Sequence, residues 1–220
     1  GVDTYGTRIN GYTTGADNYI RIYTPTEPSE VGASQRHNGT WGSGYRRDDA
    51  TLILSDEYVY VDGLAGQGGS EIITIAQTTN PGEIRISNCW SKTTDASGTG
   101  AADVYEVAFN VGASLTLKMW NNIAVVQSSS SSAGFYVNDA DVTSYIYNCT
   151  AICTASGYGF MVSNGNHYLK NCLGYSATNN SFDGTALSVQ YCASNDTTAD
   201  NWGSPSTNLS NQSFIFVDED

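Results

Sequence analysis

Charge is scarce in this chain, and positive charge scarcer still. Only 14% of the 220 residues are charged, and 9 Lys+Arg stand against 22 Asp+Glu, for a net charge of -13. Such a field repels phosphates, which excludes nucleic-acid binding by a basic surface. Leucine is also sparse, with 9 residues, and Glu and Lys are few, so the composition of a helical bundle is missing. No run approaches 18 apolar residues, so no membrane insertion is expected. The opening GVDTYG lacks a charged start and apolar stretch, so a secretion leader is read as absent or already removed. The five cysteines (Cys89, Cys149, Cys153, Cys172 and Cys192) are odd in number and contain no CxxC pair. Only two histidines, His37 and His167, accompany them. Neither a disulfide framework nor a zinc site fits, and the cysteines are expected as small buried packing residues.

What the chain has in quantity points to β-structure. Val and Ile total 27, Gly, Ser, Thr and Asn make up about two fifths, and 15 Tyr, 6 Phe and 4 Trp supply buryable area. Six hexads align: VYVDGL (59–64), IRISNC (84–89), LTLKMW (115–120), SYIYNC (144–149), HYLKNC (167–172) and LSVQYC (187–192). Their third position is aliphatic throughout: Val61, Ile86, Leu117, Ile146, Leu169 and Val189. The sixth holds Cys in four copies, with Leu64 and Trp120 in the others. The fifth holds Gly63, Asn88, Asn148 and Asn171, with Met119 and Tyr191 as departures.

Gly and Asn are the residues that enter a left-handed backbone at least cost. Alternating inward residues, a left-handed pivot and one more inward residue describe a strand turning a corner. Repetition every 20–31 residues makes a solenoid of parallel strands, and Asn side chains at successive corners can hydrogen-bond along its axis. Gly134-Phe-x-Val137 and Gly159-Phe-x-Val162 read as a second strand of each coil. The segments 93–100 and 177–184 and the run Ser128–Ser132 read as loops of unequal length.

The asparagine corners and Gly-Phe-x-Val partners resemble right-handed parallel β-helix repeat proteins, a group that includes pectate lyases, polygalacturonases and phage tailspikes. The entry (Arg36–Arg47, then Tyr58–Leu64) and the exit (Tyr191–Asp200, then Asn211–Val217) resemble the uncharacterised bacterial and phage surface proteins of that group. The resemblance implies an all-β, right-handed, single-stranded parallel β-helix. We divide the chain into an N-terminal cap with strands of its own (1–57), coils (58–193) and a C-terminal tail (194–220), since solenoid ends need covering.

For function, the resemblance is specific in fold and open in activity. The densest cluster is His37, Trp41, Tyr45, Arg46 and Arg47, beside Arg36, a set suited to stacking on a sugar and hydrogen-bonding its carboxylates. The competing reading is a cap loop, with Trp41 and Tyr45 plugging the rod's end and the arginines paired with Asp48 and Asp49. Asp139 and Asp141, with Asp95, Asp103 and Glu106 elsewhere, are weak calcium or acid–base candidates; no other cofactor is expected. His167 falls on an inward position and reads as a satisfied core histidine. A pectate-lyase-like site implies an arginine base with aspartates on one strand face. A polygalacturonase-like site implies NTD, DD, GHG and RIK in order, and this set is incomplete here. Arg85 and Lys118 fall at different hexad positions and are expected in no common file.

The leading expectation is a non-enzymatic extracellular or virion-surface module for adhesion, glycan recognition or filament building. Polysaccharide is its expected partner, and end-to-end self-association is a further expectation. The alternative is a polysaccharide lyase or hydrolase acting on an acidic polysaccharide. If Phe214, Phe216 and Val217 fold back over the last coil, deletion of 211–220 is expected to give aggregates or filaments by electron microscopy; an unchanged soluble monomer contradicts that role.

Overall fold

The structure is a computed structural model that describes residues 2–69, 71–76, 78, 80–94, 103–107, 114–127, 132–185, 188–202 and 207–215. Its strands form three parallel sheets of eight, seven and seven strands, and each turn of the chain visits the three in the same order. The first sheet contains β1 (Val2–Asp3), β4 (Arg46–Asp48), β7 (Ala65–Gly68), β10 (Trp90–Thr93), β13 (Ile123–Val126), β16 (Thr150–Cys153), β19 (Leu173–Ser176) and β22 (Ala193–Ser194). The second contains β2 (Thr7–Ile9), β5 (Leu52–Leu54), β8 (Ile73–Ile75), β11 (Tyr105–Val107), β14 (Ser132–Asn138), β17 (Gly157–Ser163) and β20 (Phe182–Gly184). The third contains β3 (Ile20–Tyr23), β6 (Val59–Asp62), β9 (Gly82–Ser87), β12 (Leu115–Trp120), β15 (Val142–Tyr147), β18 (Asn166–Lys170) and β21 (Ser188–Gln190). Two short helices, α1 (Pro28–Val31) and α2 (Thr198–Asn201), complete the described elements. This is a single-stranded parallel β-helix.

The corner from third to first sheet explains the hexads. Asn88, Asn121, Asn148, Asn171 and Tyr191 all hold φ between 53° and 56°, and Gly63 holds 79°. At Gly63 a Cβ would also collide with the Arg36 guanidinium and the Thr24 hydroxyl, so this corner needs glycine on two counts. One hexad shifts. Met119 pairs with Ile86 and Ile146, while Leu117 pairs with Ile84. The third copy is therefore Leu117–Asn122, two residues later than the sequence alignment placed it. Asn121 then takes the pivot, and Met119 and Trp120 cease to be departures. The inward file runs Ile22, Val61, Ile86, Met119, Ile146, Leu169, Val189, one coil further toward the N-terminus than the sequence pattern reached.

The slot after each pivot is buried, and from Cys89 onward its side chains hydrogen-bond to backbone; after Gly63 it holds Leu64. Asn122, fully buried, accepts the Cys89 amide (3.0 Å) at Oδ1 and donates from Nδ2 to the Ile86 carbonyl (2.8 Å). Asn208 repeats both bonds at the C-terminal end, with the Cys192 amide (3.0 Å) and the Val189 carbonyl (3.1 Å). Sulfur makes the same links in later coils: Cys172 Sγ donates to the Ile146 carbonyl (3.3 Å), and Cys192 Sγ accepts the Cys172 amide (3.4 Å). All five cysteines are free and buried, and burial pushes the Cys89 and Cys149 thiols up to about 12, which leaves them protonated and inert. Outside the slot, amides ladder along the axis: Asn88 donates to Asp62 (2.7 Å), Asn121 to Asn88 (3.2 Å) and Asn171 to Asn148 (3.1 Å).

Inside, the Gly-Phe-x-Val strands stack their rings. Tyr105, Phe135, Phe160 and Phe182 follow one another at centroid distances of 4.9, 4.8 and 5.0 Å, close to the strand spacing of about 4.8 Å. The inward positions Gly66, Ser91, Ala124, Ala151, Gly174 and Ser194 on the first sheet are all small. A Cβ on Gly174 would lie 3.0 Å from the Phe182 ring, so small residues on one sheet make room for rings on another. Within 1–57, β1 to β5 join the three sheets in register, and an excursion from Thr24 to Tyr45 lies outside the stack. At the other end α2 buries Ala199, and Trp202 packs against the core. Phe214 is half-buried; Phe216 and Val217 lie outside the described residues.

Replacing Asn122 by Ala strands a buried N–H and a buried carbonyl, which is expected to cost about 2–4 kcal/mol in urea unfolding. Asn122→Cys, restoring the residue that the slot carries in other coils, is expected to recover about half of that loss. Equal destabilisation by Ala and Cys would contradict the slot's hydrogen-bonding role.

Candidate functional site

Strand alternation sends every second residue of the third sheet outward, and register turns these residues into files. One file runs Arg21, Tyr60, Arg85, Lys118, Tyr145, Tyr168. The next runs Tyr23, Asp62, Ser87, Trp120, Tyr147, Lys170. Arg85 and Lys118 are therefore direct neighbours. The expectation that they share no file came from the hexad set two residues early.

The face is an aromatic platform edged by cations. Tyr145 and Tyr168 stack at 5.1 Å with planes 9° apart, Tyr147 meets Tyr145 edge-on at 6.2 Å, and Tyr19 lies 4.5 Å from Tyr60. The Arg85 guanidinium sits 4.3 Å above the Tyr60 ring, and Lys170 lies 5.5 Å from that of Tyr191. Two concavities open on this face. The larger, about 570 Å³, is lined by Glu83, Thr116, Lys118, Trp120, Tyr145 and Tyr147. The other, about 320 Å³, is lined by Tyr19, Arg21, Tyr60, Asp62, Arg85 and Trp120 among others. Trp120 belongs to both.

Two acids sit among the cations. Burial alone would raise Asp62, but hydrogen bonds from Asn88, Arg36 (2.5 Å) and Ser87, with the Arg36 charge, hold it below the usual carboxylate range. Burial likewise works against ionised Glu83 and is outweighed by its bonds to Lys118 and Arg85. Both are ionised at neutral pH, so neither is a general acid. Arg21, Arg36, Arg85, Lys118 and Lys170 against Asp62, Glu83 and Glu30, which accepts from the Tyr23 hydroxyl (2.7 Å), leave the face cationic within a chain of net charge -13.

The cluster singled out from sequence is divided among three places. Trp41 lies on the side of the rod, 4.9 Å from Trp90, with Lys92 at 4.7 Å and Arg46 at 5.8 Å from its ring. It does not plug the end, because Trp90 on the first sheet offers it a ring to cover. Arg46 pairs with Asp48 (3.2 Å) as expected. Arg47 points inward, is buried, and bonds the Tyr5 carbonyl (2.9 Å) and Thr7 hydroxyl (3.1 Å) near Asp3, not Asp49. Tyr45 donates to Asp3 (3.2 Å) and, with Arg47, lines a cavity of about 270 Å³ beside Ile9, Ile22, Leu52 and Leu64. His37 donates from Nε2 to the Asn88 carbonyl (2.8 Å), pinning its loop to a corner; burial and the Arg36 charge hold its pKa down against that bond.

The remaining residues are accounted for individually. His167 is fully buried, accepts from the Ser144 hydroxyl at Nδ1 (2.9 Å) and donates from Nε2 to the Ser163 carbonyl (3.2 Å). Asp139 accepts the Asp141 amide (2.9 Å), a turn-closing contact, and Asp141 is exposed. Among the described residues no three His, Cys, Asp or Glu side chains gather as a metal-holding group, so the calcium expectation finds no cage there. Asp95 lies outside the described residues.

The fold defines a parallel β-helix solenoid. Comparison with protein-family models, with curated proteins and with solved structures found no match to this chain.

Asp103 is buried, with the Ala133 amide donating to it (2.5 Å), and burial pushes its pKa up to about 7, with Glu106 and Glu71 adding repulsion. The folded state then binds the proton more tightly than the unfolded chain, so this group's contribution to stability falls as pH rises from about 4 to 7. Asp103→Asn keeps the acceptor and removes the charge. It is expected to raise Tm at pH 8 by roughly 2–6 °C and to change it little at pH 4, by calorimetry. Equal shifts at both pH values would contradict a buried ionised carboxylate.

Proposed function

We propose that the chain is a non-enzymatic extracellular or virion-surface module of the pectate-lyase-like superfamily, and that it binds a glycan on the outer face of the third sheet. The observation that carries the reading is the continuous file of Tyr60, Arg85, Lys118, Tyr145 and Tyr168 with Trp120 beside it. Sugar rings present apolar faces that stack on Tyr and Trp, and their hydroxyls and carboxylates take the donors between. The rungs repeat at about 4.8 Å, so an extended chain lying along the axis meets similar chemistry at each step. A non-enzymatic role is supported over a hydrolytic one by the acids of the face. Hydrolysis of a glycoside calls on one protonated and one ionised carboxyl, and here Asp62 and Glu83 are both held ionised. No cofactor is part of the proposal.

Titration calorimetry against acidic and neutral polysaccharides (polygalacturonate, alginate, dextran) tests this directly. Binding is expected, weakened about tenfold or more by Trp120→Ala and by Tyr145→Ala, with both variants still folded by circular dichroism, since both side chains face outward and Tyr145 loses only its surface contacts with Tyr168 and Tyr147. Absence of binding to any glycan, or unchanged affinity in both variants, would overturn the assignment. Release of unsaturated products or reducing ends would replace it with an enzymatic role.

A further inference from the structure

The corner that builds the rod breaks its own rule once. Among the described residues, nine other than glycine hold a positive φ: six are Asn, one is Asp49, and the last two are Tyr58 and Tyr191. A tyrosine there is costly, because its Cβ crowds the following carbonyl and its side chain gives no local hydrogen bond in return. Tyr58 has a packing reason, since it is half-buried and so close to Gly82 that a Cβ there would lie 3.1 Å from its ring. Tyr191 stands 57% exposed. It also stops a ladder. Register sets it directly beyond Asn171, which donates to Asn148, and an asparagine at 191 would be placed to donate to Asn171 in turn. A strained residue that forgoes a bond in order to show its ring to solvent points to a use there.

We infer that Tyr191 and Lys170 form a further subsite at the C-terminal end of the third-sheet face, where a sugar ring stacks on the tyrosine and turns a hydroxyl or carboxylate to the ammonium. This inference rests on the glycan reading above. The Lys170 ammonium lies 5.5 Å from the Tyr191 ring centroid, and Lys170 follows Tyr147 in the outward file. Arg85 and Lys118 are both engaged by Glu83, whereas Lys170 makes no ion pair among the described residues, so its donors are open to a ligand. Three rungs lead from Trp120 through Tyr147 and Lys170 to Gln190, the residue before Tyr191. At about 4.8 Å per rung, a ligand that touches both Trp120 and Tyr191 reaches roughly 14 Å, which calls for an oligosaccharide and not a single sugar.

Titration calorimetry of the unmodified chain, Tyr191→Asn and Tyr191→Phe with polygalacturonate, alginate and dextran, beside thermal unfolding without glycan, tests the subsite. Tyr191→Asn is expected to weaken binding about fivefold or more and to raise Tm by roughly 1–4 °C, because asparagine suits the corner. Tyr191→Phe keeps the ring and is expected to bind within about twofold of the unmodified chain. A lower Tm in Tyr191→Asn, affinity unchanged by that substitution, or an equal loss in Tyr191→Phe would overturn the subsite and leave the Trp120 reading standing. Absence of binding by the unmodified chain would overturn both.

Discussion

A left-handed residue at one corner of each coil from Gly63 to Tyr191 is the constraint on which the rest of this molecule depends. Without a Cβ penalty at Gly63, and at modest cost for Asn88, Asn121, Asn148 and Asn171, the chain turns from the third sheet onto the first within a single residue. Because that turn has no slack, it fixes the register of both flanking strands. Fixed register turns alternation along one strand into files across many. The same corner delivers the next residue inward, where Asn122, Asn208 or a cysteine ties its coil to the one below.

The proposed function follows from files, not from a local motif. The residues of the face proposed to bind a glycan come from six strands and are 20 or more positions apart in sequence, yet they sit on neighbouring rungs. Charged side chains share this face with aromatic ones, while from β13 onward the strands of the first sheet hold no charged residue. A single chain thus shows solvent a cationic aromatic surface and an uncharged one, around a core where rings on the second sheet lie opposite small residues on the first.

Much of the fold was legible in the residues themselves. The corner asparagines, the inward aliphatics and the Gly-Phe-x-Val strands are local patterns, and each occupies its expected place. What failed was the loop reading of 177–184, whose last three residues are the strand β20 stacked on β17, and one register. LTLKMW matched the aliphatic third position as well as LKMWNN does, since Leu117 and Met119 both point inward, and the decisive difference was the amide pair Asn121-Asn122. That slip of two residues hid the face, because it separated Lys118 from Arg85. The His37–Arg47 cluster misled for the opposite reason. Adjacent residues in a strand point to opposite sides, so Arg46 and Arg47 part company however dense the segment looks. The excursion from Thr24 to Tyr45 follows no repeat, and its docking through Trp41 on Trp90 depends on a ring nearly 50 residues away.

The four tryptophans provide the most direct measurement of the central claim, because each indole N–H reports a different part of the rod: Trp41 the docked loop, Trp90 the first sheet, Trp120 the third, Trp202 the C-terminal end. In a two-dimensional NMR titration with a short oligogalacturonate, signals assigned by single substitution, the Trp120 resonance is expected to shift progressively while the other three stay in place. Movement of Trp41 and Trp90 with Trp120 unmoved would contradict the account and return the site to the loop.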